Sequence, residues 1–364
     1  MSIILITFDA GVDIDFQTLG KILPKTILLT LLTFFLITVG TALVGPFVFP
    51  GFSIIELLIL GTILGGLSTV AVAGIRDQLG HNGYQRVWRI MTLESTIVDP
   101  IRVIMAITLI EVALHGNIRP IDSVKDIFFI LLVGSLVGFF LGMLWSVVLH
   151  RLRLTENQYM ITLAILLQVY YLAEYIAGNG GGTMACFMFG FAISNPKLLS
   201  RWLGYIPRVD VTRLNDVNSE LSFALKSYYF VYTGMIVRIT QTYLWAGLVF
   251  TAMIILLRFI SGSIVGKIFD LDPHETRILR LTYPLGTSAL VFATLPILYD
   301  PERVFFTDPH IYTNLVFPVV LGTIIFSALI GPLILKATEG KIRKLKIFRK
   351  LFHKRLRFPD LIVC

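Results

Sequence analysis

Glu94, Asp99 and Arg102 stand within Met91–Val103, MTLESTIVDPIRV, a stretch that is otherwise mainly apolar. Ionisable side chains at bilayer depth cost roughly 2.5–3.5 kcal/mol each on insertion scales, so an acid in such a place points to function. A carboxylate there holds either a proton or a metal cation. The chemistry on offer is ion exchange, with proton and cation competing for Asp99. Ser95 lies four residues before Asp99, on the same helical face, and adds a hydroxyl. The competing reading is structural: Arg102 follows Asp99 by one helical turn and would serve only as its pair partner.

These groups need a scaffold that holds them inside a membrane, and the composition provides one. The chain has 364 residues, of which 55% are hydrophobic, and a mean hydropathy of +0.81. Soluble domains sit nearer about 45–50% apolar. Apolar stretches fall at about 26–48, 53–75, 88–114, 126–149, 157–177, 180–195, 221–238, 243–266, 278–299 and 311–336, after a short apolar stub at 1–9. Most are long enough to cross a bilayer. They are continuous rather than alternating, which argues against a β-barrel. The expectation is an all-α polytopic membrane protein, with a transmembrane domain over 1–336 (ten to eleven spans) and a basic tail over 337–364.

Orientation follows from lysine and arginine in the connections. Lys21/Lys25, Arg76/Arg86/Arg89, Arg151/Arg153, Lys197/Arg201/Arg208/Arg213, Lys267/Arg277/Arg280 and the tail alternate with poorer connections. All basic connections then share one side, which places the C-terminus in the cytoplasm of a cell-membrane protein. The net charge of +8 lies largely in the tail, and no nucleic-acid motif accompanies it. Cys186 and Cys364 give neither a disulfide framework nor metal spacing. The start, MSIILITFDAGVD, has no signal-peptide features. His81 and His274, on the basic side, are candidate pH sensors.

Two stretches are interrupted in matching ways. Gly61–Ile75 carries Gly65 and Gly66 followed by Ser68 and Thr69; Thr282–Pro296 carries Pro284, Gly286, Thr287 and Ser288. Glycine and proline are the poorest residues inside a helix. Broken segments, one in each half of a chain, point to a transporter's ion site. Simple kinking and close packing of small residues is the alternative.

These residues together resemble a known family. Glu94-Ser95-Thr96-Ile97-Val98-Asp99 is similar to the E-S-x-x-N-D signature of the monovalent cation:proton antiporter superfamily, the sodium/proton antiporters and sodium/hydrogen exchangers. FDAGVDID at 8–15, Ala173-Glu174 with the following GNGGGTMACFMFGFAISN, YYFVYTGMIV at 228–237, Arg258 and Pro284-Leu285-Gly286 resemble other family segments in the same order. The resemblance implies an inverted-repeat fold whose two broken helices, here about 57–75 and 278–299, cross beside Asp99. It also implies a homodimer, a buried structural pair between Glu94 and Arg258, and Na⁺ or K⁺ exchanged for H⁺.

The chain departs from the pattern in three places. It begins at what would be the family's third span, so the fold is expected to be N-terminally short. Val98 stands where an asparagine is usual, and Leu67-Ser68-Thr69 replaces Thr-Asp-Pro, which resembles the potassium-efflux branch. Pro100 and Arg102 after the aspartate are unusual.

The expected ion site is Asp99, Ser95, Ser68 or Thr69, and backbone carbonyls freed at the break. Arg102, Lys226 and Glu174 are expected modulators, with Lys226 read as snorkelling near its helix start and Glu174 as a packing or cavity-mouth residue. Glu111 would line a cavity or face the interface. The expected activity is secondary antiport of a monovalent cation, Na⁺ first, against H⁺ by alternating access. No bond is made, so this is not an enzyme, and no cofactor is called for. The alternatives are a K⁺/H⁺ exchanger or cation channel, and a non-transporting, truncated membrane subunit.

Overall fold

The computed structural model describes residues 2–12, 14, 22–79, 84–115, 120–152, 158–197, 211–306, 308–335 and 337. The basic tail beyond 337, His81 and several basic connections lie outside them. Every regular element among the described residues is a helix. The helices are α1 (Ser2–Val12), α2 (Leu23–Val48), α3 (Ile54–Leu64), α4 (Thr69–Leu79), α5 (Gln85–His115), α6 (Pro120–Leu152) and α7 (Gln158–Ala177). There follow α8 (Gly181–Ser194), α9 (Val211–Ile236), α10 (Gln241–Ile268), α11 (Pro273–Leu281), α12 (Thr287–Phe292), α13 (Leu295–Tyr299) and α14 (His310–Ile325), which runs into a π-helical turn at Phe326–Ile330.

Each of the ten apolar stretches coincides with a helix or a broken helix. Among the described residues, five helices are long and apolar enough to cross a membrane, namely Leu23–Val48, Phe128–Arg151, Tyr159–Ala177, Gln241–Ile268 and His310–Leu335. The bent pair α3 and α4, with 44° between its halves, makes a sixth. α5 is long enough but carries Glu94, Asp99, Arg102 and Glu111. The α2 helix, at 26 residues, rises about 39 Å, more than the roughly 30 Å hydrocarbon layer. Phe35, Phe47, Tyr175 and Met235 are exposed on the outer surface, as befits faces turned to lipid rather than water.

Among the described residues three apolar clusters hold the helices, two of them large. One joins residues of α2, α3, α5, α10, the segment from α11 to α13, and α14. The other joins α1, α6, α7 and α8. Glycines set the closest approaches in the second core. Gly134, Gly138 and Gly142 of α6 press on backbone of Gly181, Ala185 and Phe189, so an added Cβ would lie 2.1–2.8 Å from it. Such small-residue stripes let helix backbones meet where burial in lipid supplies no drive to associate.

The two interruptions fall where glycine and proline put them. A capping box starts α3: the Glu56 amide donates to Ser53 Oγ and the Ser53 amide donates to Glu56 Oε2 at 2.8 Å. The helix ends at Gly65, and Ser68 Oγ then accepts from the Ala71 amide at 3.3 Å at the start of α4. Asp272 caps α11 by accepting from the His274 amide at 2.8 Å. After Leu281 the chain runs without helix to Gly286. Irregular backbone survives at membrane depth only where protein or a cavity satisfies it. Here the Tyr283 amide donates to Ser327 Oγ at 3.0 Å and the Leu285 amide to Thr323 Oγ1 at 3.1 Å. Pro284, between them, has no N–H to satisfy.

Candidate functional site

The breaks meet. The Ser68 amide donates to the Pro284 carbonyl at 2.8 Å. A Cβ on Gly286 would lie 2.5 Å from Ser68 Cβ, so the crossing is as close as glycine permits. Beside it, α5 presents Asp99 and Ser95. Ser95 Oγ lies 2.8 Å from Thr69 Oγ1 and donates to the Thr92 carbonyl at 2.7 Å. A cavity of about 650 Å³ opens onto this point and is lined by Ser68, Thr69, Ser95, Asp99, Thr287 and Ser288, among others. The residues expected to form an ion site are thus brought together from three parts of the chain.

Asp99 is 8% exposed, enough to reach the cavity, while Arg102 is fully buried behind it. Arg102 Nη1 donates to Asp99 Oδ1 at 2.7 Å and to Ser288 Oγ at 3.3 Å. The same guanidinium donates to the Thr62 carbonyl at 3.4 Å and to that of Ile63. Its planar face lies over the Phe292 ring at 4.8 Å. Gly66 makes the room, since a Cβ there would stand 2.4 Å from Arg102 Cδ. These contacts go beyond what the sequence spacing alone suggests. Arg102 is more than a partner one turn from Asp99, because it ties α5 to the end of α3 and to α12. The carbonyls of Thr62 and Ile63, at the end of α3, both accept from Arg102.

Glu94 and Arg258 form a bidentate pair, at 2.5 and 2.8 Å, with neither side chain more than 1% exposed. Arg258 Nε also donates to the Leu279 carbonyl at 2.8 Å and Nη1 to Thr33 Oγ1 at 3.3 Å. The pair thereby locks α5 to α10, α2 and the end of α11, outside the cavity.

Lys226 does not snorkel towards its helix start. Its Nζ donates to Asp9 Oδ2 at 3.0 Å, and both residues line the cavity that Asp99 enters. Asp9 was missed as a site residue. The signal was present: it is an ionisable residue inside the apolar helix α1, the criterion that singled out Asp99. Glu174 does not line the cavity that Asp99 enters. Its two carboxylate oxygens accept from the Gly180 and Gly182 amides at 2.9 and 2.8 Å, which caps α8 from the end of α7. Gly180 itself has a positive φ of 96° and no side chain to cap with. Glu111 accepts from Asn179 Nδ2. Among the described residues no cluster of three or more His, Cys, Asp and Glu side chains is placed to hold a metal ion.

Comparison with known proteins agrees with this architecture. The family model described as "Sodium/hydrogen exchanger, transmembrane" matches residues 1–338. A K(+)/H(+) antiporter NhaP of Alkalimonas amylolytica is 22% identical over 332 residues, covering 90% of this chain. The chain spans about half, 54%, of that relative's length. The solved sodium proton antiporter MjNhaP1 of Methanocaldococcus jannaschii at pH 8 superposes with a TM-score of 0.76 at 16% identity, covering 91% of this chain and 84% of the other. An electron-microscopy structure of the same antiporter gives 0.66, with 95% and 83% covered. The fold, with its two crossing broken helices, is that of these antiporters.

Proposed function

The chain belongs to the transmembrane sodium/hydrogen exchanger family, and from that premise we propose that it exchanges a monovalent cation for protons by alternating access, with Asp99 as the group for which the two compete. The observation that carries this reading is the position of Asp99. It is the acid of α5 that reaches the cavity where the two broken segments cross, within a ring of hydroxyls. A proton and a hard cation both bind carboxylate oxygen, and one carboxylate does not hold both. Binding of either excludes the other, and that exclusion couples their movements. Asp99 Oδ1 is held by Arg102. The ligands proposed for the cation are the Asp99 carboxylate, once turned to the cavity, and the hydroxyls of Ser95, Thr69 and Ser68.

One cation per proton, and so electroneutral exchange, is the simplest stoichiometry for a single carrier acid. Na⁺ is the first cation proposed. K⁺ is the second reading, supported by the absence of a carboxylate at Leu67-Ser68-Thr69 and by the activity in the Alkalimonas relative's name. We further propose ten to eleven membrane crossings over 1–336, a cytoplasmic C-terminus with its basic tail, and a homodimer in the cell membrane.

The test is proton flux in proteoliposomes after a pulse of Na⁺ or K⁺, comparing wild type with Asp99→Asn. Cation-driven proton movement that Asp99→Asn abolishes supports the proposal, and the ion that gives the lower KM names the substrate. Equal exchange by both proteins rules Asp99 out as the carrier. Cation movement without coupled protons would instead mark a channel, and no flux in either direction a non-transporting subunit.

A further inference from the structure

The buried guanidinium beside Asp99 has consequences for that same site. Four independent contacts fix Arg102: Asp99 Oδ1, Ser288 Oγ, and the carbonyls of Thr62 and Ile63, with the Phe292 ring closing one face. It has no exposed surface and does not line the cavity, whereas Asp99 does. Asp99 therefore stands between a fixed positive charge at its back and the space from which a cation arrives. The carbonyls at the end of α3 and the carboxylate are oxygens that an alkali cation would seek here, beside the hydroxyls, and the guanidinium engages both.

We propose that Arg102 is a built-in competitor of the transported cation, a tethered positive charge that sets how weakly Asp99 holds its substrate. The proposal rests on the antiporter reading, in which Asp99 is the carrier. An arginine side chain keeps its charge across the working pH range and forks onto several acceptors at once, so its competition is permanent rather than switched by protons. Cation binding requires Asp99 to turn from Arg102 towards the cavity. The guanidinium then stays behind on Thr62, Ile63 and Phe292, so it is not left without partners in the interior. A site engaged by its tether nine-tenths of the time has its apparent cation affinity cut about tenfold. A purely structural Arg102, present only to satisfy the end of α3, would leave that affinity unchanged.

The experiment measures cation KM and maximal rate in proteoliposomes, together with thermal stabilisation of the purified protein by NaCl or KCl, with choline chloride as control. The proteins compared are wild type, Arg102→Gln, Arg102→Met, Arg102→Lys and Gly66→Ala. The neutral variants are expected to lower KM and the half-stabilising cation concentration about tenfold. Maximal rate should fall or stay level as the tighter-held cation leaves more slowly. Arg102→Lys keeps a charge but loses the fork, and is expected to stay near wild type in KM even if less stable. Gly66→Ala keeps the charge but pushes the guanidinium, and is expected to shift KM in the same direction as the neutral variants. It carries the test if those fail to fold.

Unchanged KM and half-stabilising concentration in the folded variants, with wild type exchanging normally, overturn the competitor role and leave the antiporter reading standing. Absence of both flux and cation-dependent stabilisation in every protein overturns the antiporter reading and this proposal with it.

Discussion

The Ser68 amide and the Pro284 carbonyl, 216 positions apart in the chain, are hydrogen-bonded at 2.8 Å. The first broken segment thereby finds a partner for its free donor in the second. The second break's own Tyr283 and Leu285 amides are satisfied by Ser327 and Thr323 of the last helical segment.

Closeness at that crossing is steric. Gly286 has an extended backbone, φ −132° and ψ −169°, that any residue can adopt. Gly286→Ala would nonetheless place its Cβ 2.5 Å from Ser68 Cβ. Overpacking of this kind costs about 1–3 kcal/mol. The variant is expected to show a lower thermal midpoint in detergent and reduced exchange, both measurable on one preparation.

Glu94 and Arg258 leave each other uncompensated if either is removed. Glu94→Gln or Arg258→Met is expected to cost about 3–5 kcal/mol, seen as loss of folded protein in size-exclusion profiles after heating. The double variant should recover much of the loss, since it buries no lone charge. A double variant as unstable as the sum of the two would mean that the bonds to Leu279 and Thr33 matter more than the pair.

Thr69 and Ser95 share a hydrogen bond at the cavity edge. Thr69→Val and Ser95→Ala each remove one oxygen offered to the cation. With a net value of about 1 kcal/mol per polar contact, each is expected to raise cation KM roughly fivefold with little change in stability. Because the two hydroxyls touch, the double variant should fall short of the product of the single effects.

Asp9 and Lys226 place opposite charges in the cavity, so their removal should act with opposite sign. Lys226→Met deletes a repelling charge and is expected to lower cation KM. Asp9→Asn deletes an attracting one and is expected to raise it. Both effects should shrink as ionic strength rises, because screening acts on partly solvated charges. KM measured at two concentrations of choline chloride checks this.

Asp300 closes the loop after α13. Its Oδ1 accepts from the Val304 amide at 2.7 Å, and its Oδ2 from the Phe305 and Phe306 amides at 2.9 and 2.8 Å. Burial alone favours the neutral acid, but hydrogen bonds from the Phe306, Val304, Phe305 and Arg303 amides outweigh it and hold the carboxyl below its ordinary 3.8. A folded value lower than the unfolded one gives stability that is complete above the unfolded value and is lost as pH falls through the folded one. The thermal midpoint is expected to decline below about pH 4, and Asp300→Asn should lower the neutral-pH midpoint and flatten that decline.

The sequence by itself determined the membrane-embedded helical class, the two interruptions, and Asp99 as the residue to watch. These are local signals. An apolar run of about 20 residues has no other economical home, glycine and proline weaken a helix wherever they stand, and an acid inside such a run is costly enough to need a reason. The tertiary structure alone decided the partners. Lys226 finds Asp9 across 217 positions. Glu174 caps a neighbouring helix rather than facing the cavity. Arg102 engages carbonyls of Thr62 and Ile63 as well as the aspartate one turn away. A hydrogen-bond donor is satisfied by whatever acceptor packing brings within about 3 Å, and packing at glycine-lined crossings is a property of several helices at once.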